Sequence, residues 1–97
     1  MSGNMGLTPT KTCIAEMEKA FPKGSEVELI FMDDPYRVMP KGLKGTVLAI
    51  DGIGTIHVAW KNGSGLGAVW NADIVKNAAT GVLSNQFWED NRPHKHS

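Results

Sequence analysis

At Ser25 the apolar spacing of the chain changes from a helical period to a period of two, and that break limits the fold more than any other feature. Upstream of it, Ile14, Met17 and Phe21 recur at i, i+3 and i+7 and predict one short helix over 9–21. Thr8 is placed to cap this helix, with Pro9 at its first position, where a missing N–H costs nothing. Pro22-Lys23-Gly24 ends it. Downstream, Val27, Leu29 and Phe31 alternate with Glu26 and Glu28, the pattern of a half-buried strand. Further strands are predicted at Gly45–Ile50, Ile56–Trp60, Leu66–Trp70 and Asp73–Lys76. Asp51-Gly52-Ile53-Gly54 and Asn62-Gly63 supply hairpin turns, because these residues tolerate positive φ.

Five short strands leave no room for crossover helices, so the expected fold is mostly β. It is a small SH3-like antiparallel barrel over 24–76, with closure hiding the strand edges. Residues 1–8 are expected to be unstructured, and 77–97 form a C-terminal extension. Leu83, Phe87 and Trp88 in that extension need a cover, on the same chain or on a neighbouring copy.

A length of 97 residues allows one domain and one modest core. Ten basic and ten acidic residues cancel, which weighs against bulk duplex nucleic acid as the main partner. The single cysteine, Cys13, excludes an intramolecular disulfide and a CxxC-type zinc site. It lies beside the helical stripe, as a small buried thiol would. No basic-then-apolar leader opens the sequence and no apolar run approaches the ~20 residues of a membrane span. The expectation is a cytoplasmic protein without a membrane partner, in the host cytoplasm if phage-encoded.

Catalytic signatures are absent. No nucleophile elbow, Walker loop or HExxH occurs, and no cofactor motif is found. Asp33 and Asp34 are adjacent, so on a strand they diverge, and before Pro35 they read as turn caps. His57 stands mid-strand without an identified acid partner. His94 and His96 lie in a basic tail that offers a metal little preorganisation. The expected protein is therefore not an enzyme and holds no metal.

Charge is polarised along the strands. Residues 24–34 carry Glu26, Glu28, Asp33 and Asp34 with no cation, whereas 35–61 carry Arg37, Lys41, Lys44 and Lys61 against Asp51 alone. These cations stand beside glycine-rich turns with accessible amides, a setting suited to phosphate oxygens. Tyr36, Trp60 and Trp70 offer faces for a nucleobase, although Trp60 shares the apolar face of Ile56 and Val58 and reads first as core. Asn62 and Ser64 complete the candidate ligand set at the second hairpin.

Several runs resemble a known family: Gly24–Ile30, Met32-Asp33-Asp34-Pro35-Tyr36, Pro40-Lys41-Gly42-Leu43-Lys44-Gly45-Thr46-Val47, Ile56-His57-Val58-Ala59-Trp60 and Asn62-Gly63-Ser64. Together they are similar to domain-of-unknown-function family 4314, found in small proteins of bacteria, phages and other mobile elements. The resemblance covers 24–76 and leaves the helix and the tail outside. Where that family often has Asp before Asn-Gly, this chain has Lys61. The family brings no activity, only a mobile-element setting. Small phage proteins of that setting can capture cyclic-nucleotide or ADP-ribose-type immune signals as homo-oligomers with pockets at subunit boundaries. Gly42-x-x-Gly45-Thr46-Val47 also resembles the strand opening of KOW-type barrels, which implies RNA binding as an alternative.

The reading is a non-enzymatic, homo-oligomeric sponge for a small phosphorylated ligand, held by Tyr36, Arg37, Lys41, Lys44, Trp60, Lys61, Asn62, Ser64 and Trp70. A nucleic-acid-binding barrel is the first alternative. A protein-interaction module gripping a peptide between Tyr36 and Trp70 is the second.

Overall fold

The computed structural model describes residues 8–33 and 39–88. The helix, α1, spans Lys11–Ala20. Its cap is Thr10, not Thr8, because the Thr10 hydroxyl accepts from the Cys13 N–H at 3.0 Å. Pro9 therefore lies outside the helix, buried, with its ring against Gly54. Gly54 has φ +86°, and a Cβ there would stand 2.7 Å from Pro9 Cγ and 2.9 Å from Trp70 Cβ, so both the conformation and the room demand glycine. Cys13, Met17 and Phe21 are buried, while Ile14 is only half-buried. The apolar face is thus rotated slightly from the expected one, with the thiol in the core.

Four strands follow: β1 (Glu26–Phe31), β2 (Lys44–Ile50), β3 (Ile56–Trp60) and β4 (Ile74–Asn77). They form one antiparallel sheet in the order β3-β2-β1-β4. Val27, Leu29, Val47, Ile56, Val58, Trp60 and Val75 point inward and are buried, as the period of two requires. Helix α1 and a 3-10 turn, Ser84–Phe87, contribute to this core.

The expected five-strand SH3-like barrel does not close. β3 and β4 are the opposite edges of an open sheet, and the predicted strand at 66–70 shrinks to one bridge between Ile56 and Ala68. The reason is local competition for its backbone. The carbonyl of Leu66 accepts from the Trp60 indole at 2.7 Å, and its N–H donates to Ser64 Oγ at 3.2 Å. Beyond Ala68 the chain turns, as Val69 N–H donates to the buried Asp73 Oδ2 at 2.8 Å. Asp73 Oδ1 accepts from Asp33 N–H at 2.8 Å, so one carboxylate ties the end of β1 to this turn. The predicted strand at 73–76 is β4.

An open sheet needs its edges covered, and irregular segments do it. The β3 edge meets the Ile56–Ala68 bridge and the Trp60 N–H bond to Ser64 O. The β4 edge meets a Lys76–Leu83 bridge, Asn77 N–H to Val82 O, and Val75 N–H to the buried Ser84 Oγ at 3.0 Å.

Residues 77–88, expected as an extension, pack on their own chain. Phe87 meets Phe21 edge to face with ring centroids 6.4 Å apart. The Phe87 carbonyl accepts from Cys13 Sγ at 3.3 Å and from Trp70 Nε1 at 3.2 Å. Trp88 lies half-buried against the same cluster. Among the described residues, no helix is long and apolar enough to cross a membrane.

Candidate functional site

The solvent side of the sheet is where the predicted cations meet. Glu28 on β1 lies directly opposite Lys44 on β2 and Lys76 on β4. Lys61 extends the row beyond β3, because its N–H donates to Lys44 O at 2.9 Å. The result is a line Lys61–Lys44–Glu28–Lys76 across the sheet, with neighbouring strands about 4.8 Å apart. Lys41 stands three residues before Lys44 in the turn that leads into β2. Glu28 Oε1 lies 3.6 Å from Lys76 Nζ. Among the described residues, no carboxylate comes within ion-pair distance of Lys41, Lys44 or Lys61.

The turn beside this corner is prearranged. Asn62 Oδ1 accepts from Ser64 N–H at 3.0 Å, and Gly63 N–H donates to Trp60 O at 3.0 Å. The Asn62 amide reaches Met39 Sδ at 3.7 Å, which sets the hairpin against the segment preceding Lys41. Asn62 and Ser64 thus shape the turn with the side-chain oxygens that sequence reading had offered to a ligand.

The aromatic residues behave differently. Trp60 is 3% exposed and Trp70 6%, each with its indole N–H bonded to a backbone carbonyl, so neither presents a face for stacking. Tyr36, Arg37 and Asp34 lie outside the described residues, as do His94 and His96. The structure therefore joins Lys44 to Lys61 beside the Asn62–Ser64 turn, with Lys41 in the turn before β2, and sends the two tryptophans into the core.

Sequence reading missed two groups. Lys76 was legible as a strand residue, but its place in the lysine row depends on β4 pairing with β1. Asp51 was read only as a turn residue, yet it is the partner that His57 lacked. Its Oδ2 lies 2.8 Å from His57 Nε2, while Oδ1 accepts from the N–H groups of Ile53 at 3.1 Å and Thr55 at 3.0 Å. Slight burial works to raise the Asp51 pKa. The His57 hydrogen bond, the amides of Thr55 and Ile53 and the His57 charge outweigh it, so the carboxyl is held below its ordinary 3.8. No nucleophile among the described residues is hydrogen-bonded to His57, and the pair serves to brace the β2–β3 hairpin. Among the described residues, no group of three or more His, Cys, Asp or Glu is placed to hold a metal ion.

A groove of ≈ 460 Å³ opens elsewhere, between the end of α1 and the turn after β4, lined by Lys19, Ser25, Glu26, Asn77 and Thr80 among others. It contains none of the residues proposed from the sequence. Asn77 closes its floor, donating to Ala20 O at 2.8 Å and accepting from Ala79 N–H at 2.9 Å.

A family model described as "Domain of unknown function (DUF4314)" matches residues 10–78. The chain belongs to the DUF4314 family. The match begins at Thr10, the cap of α1, and ends one residue past β4, so the DUF4314 unit includes the helix that the sequence resemblance had left outside. The Phe87 segment follows the matched region yet completes its core. No significant match was found among curated proteins or solved structures.

Proposed function

We propose that this DUF4314 protein is a non-enzymatic binding protein that captures a small phosphorylated ligand at its Lys41–Lys44–Lys61 corner. In a phage or mobile-element setting the ligand is a cyclic-nucleotide or ADP-ribose-type signal, and the binding unit is a homo-oligomer. One observation carries the reading. Lys61 is joined to Lys44 by a backbone hydrogen bond just beyond β3, and among the described residues no carboxylate lies within ion-pair distance of either lysine. Like charges placed directly across a sheet are destabilising, and a bound anion removes that cost. A compact corner of three lysines suits a compact anion. With Trp60 and Trp70 buried, phosphate recognition supports the reading and ring stacking on these two residues does not.

Native mass spectrometry of the protein incubated with a mixed pool of nucleotide signals and a short oligonucleotide tests it. The expected result is an oligomer that retains a nucleotide mass, lost in the Lys44→Ala/Lys61→Ala variant. Uptake of the oligonucleotide alone, with affinity falling log-linearly with salt, would replace this reading with nucleic-acid binding. A protein that takes up neither would point to a protein partner.

A further inference from the structure

The lysine row contains one carboxylate, and its geometry is informative. Glu28 is flanked on both sides by lysines, yet only Oε1 is engaged, 3.6 Å from Lys76 Nζ. Oε2 faces the turn at Gly42, lying 3.6 Å from where a Cβ would stand. A Cβ at 42 would be in ordinary contact with this oxygen, and the glycine is held at φ +85°. Among the described residues no hydrogen-bond donor is directed at Oε2. Gly42 N–H bonds Leu29 O at 2.8 Å and Leu29 N–H bonds Leu43 O at 2.8 Å, which fixes the turn against β1 beside the carboxylate.

An ionised carboxylate only accepts hydrogen bonds, and beside a bound phosphate it repels. Its place next to Lys44 is unfavourable for inorganic phosphate. It is favourable for a ligand that carries a hydroxyl about one strand spacing, roughly 5 Å, from its phosphate. That is the separation between the phosphate and the ring hydroxyls of a sugar phosphate. Resting on the phosphate-binding reading above, we infer that Glu28 Oε2 accepts a hydroxyl of the ligand and selects phosphate esters of a sugar with free hydroxyls. Lys44 and Lys61 take the phosphate, and Lys76 holds Oε1 so that Oε2 stays turned to the ligand. A site built to accept a hydroxyl disfavours the analogue that lacks it, because the carboxylate then loses its partner.

Isothermal titration with adenosine 5′-monophosphate, its 2′,3′-dideoxy analogue and inorganic phosphate tests the assignment. Wild type is expected to bind the ribonucleotide about 10-fold more tightly than the dideoxy analogue. In Glu28→Gln, with an unchanged melting temperature as the control for folding, that preference should shrink and inorganic phosphate should bind better as the repulsion goes. Equal binding of the two nucleotides by wild type, or a preference intact in Glu28→Gln, overturns the role of Glu28 while phosphate binding stands. If no probe binds, or if Lys44→Ala/Lys61→Ala binds all three as wild type does, both readings fall.

Discussion

The two faces of the sheet are made by the same four strands, yet they are held by different physics. On the inner face Val27, Leu29, Val47, Val58 and Val75 are each at most 1% exposed and meet α1 and Phe87 from above. Their identities follow from burial, since each contributes transfer free energy and close packing. On the outer face Lys44 and Lys76 flank Glu28, with Lys61 beyond Lys44, and charge rather than burial sets the pattern there. A lysine opposite a lysine is a poor choice for stability. The inner face is what a small fold requires; the outer face sets two favourable Glu–Lys neighbours beside one unfavourable approach of Lys44 and Lys61.

Substitutions should separate the two faces sharply. Phe21→Ala removes a ring that is 1% exposed and leaves Phe87 without its edge-to-face partner, so urea unfolding should report a loss of about 3–5 kcal/mol. Gly54→Ala should cost about 2–3 kcal/mol, because the new Cβ is forced to φ +86° and toward Pro9 and Trp70. Thermal melting would measure this, and a neutral result would mean that the Pro9 contact yields freely. Lys44→Ala/Lys61→Ala should change stability by no more than about 0.5 kcal/mol, with a gain more consistent with relieved repulsion than a loss. A large loss would move these lysines from the ligand's account to the fold's. The smallest effect belongs to Asp51. Its folded pKa lies below the ordinary 3.8, so its contribution is present above that value and disappears as pH falls through the folded one. The carboxylate side chain is 38% exposed, so solvent screening keeps the term small. Wild type should therefore be slightly more stable than Asp51→Asn above about pH 4, and the two should converge as pH falls below it, which urea unfolding at a series of pH values would measure.

Where sequence and structure agree, the deciding interactions are local. The change of period at Ser25, the Asp51–Gly54 hairpin and the alternation along β3 depend on neighbours a few residues away, and all appear as expected. The barrel failed at Leu66, where alternation competes with the Trp60 indole and the Ser64 hydroxyl for the same backbone groups. Periodicity carries no information about such side-chain claims on a ladder. The helix cap moved by two residues because either threonine satisfies a capping pattern, and only Thr10 places its oxygen on an amide that α1 leaves free. The lysine corner was half legible. Lys41, Lys44 and Lys61 showed in the charge pattern, but the strand order that adds Lys76 and sets Glu28 between lysines is a long-range property. Trp60 and Trp70 were ambiguous for the same reason: a large apolar residue at an alternating position fits a core or a binding face.

The Phe87 carbonyl joins residues 74 positions apart in the chain when it accepts from Cys13 Sγ. The sheet and helix are made first during synthesis, but the group that closes over them emerges after them. Until it arrives, Phe21 and Trp70 lack the partner that completes their packing, and the half-built sheet waits with that side uncovered. Closing so long a loop is costly to initiate, and contacts of this separation slow folding relative to chain length. Folding of this small chain is thus expected to finish only after residue 88 has left the ribosome. A stalled or truncated product lacking that turn would be a sticky intermediate rather than a smaller version of the protein.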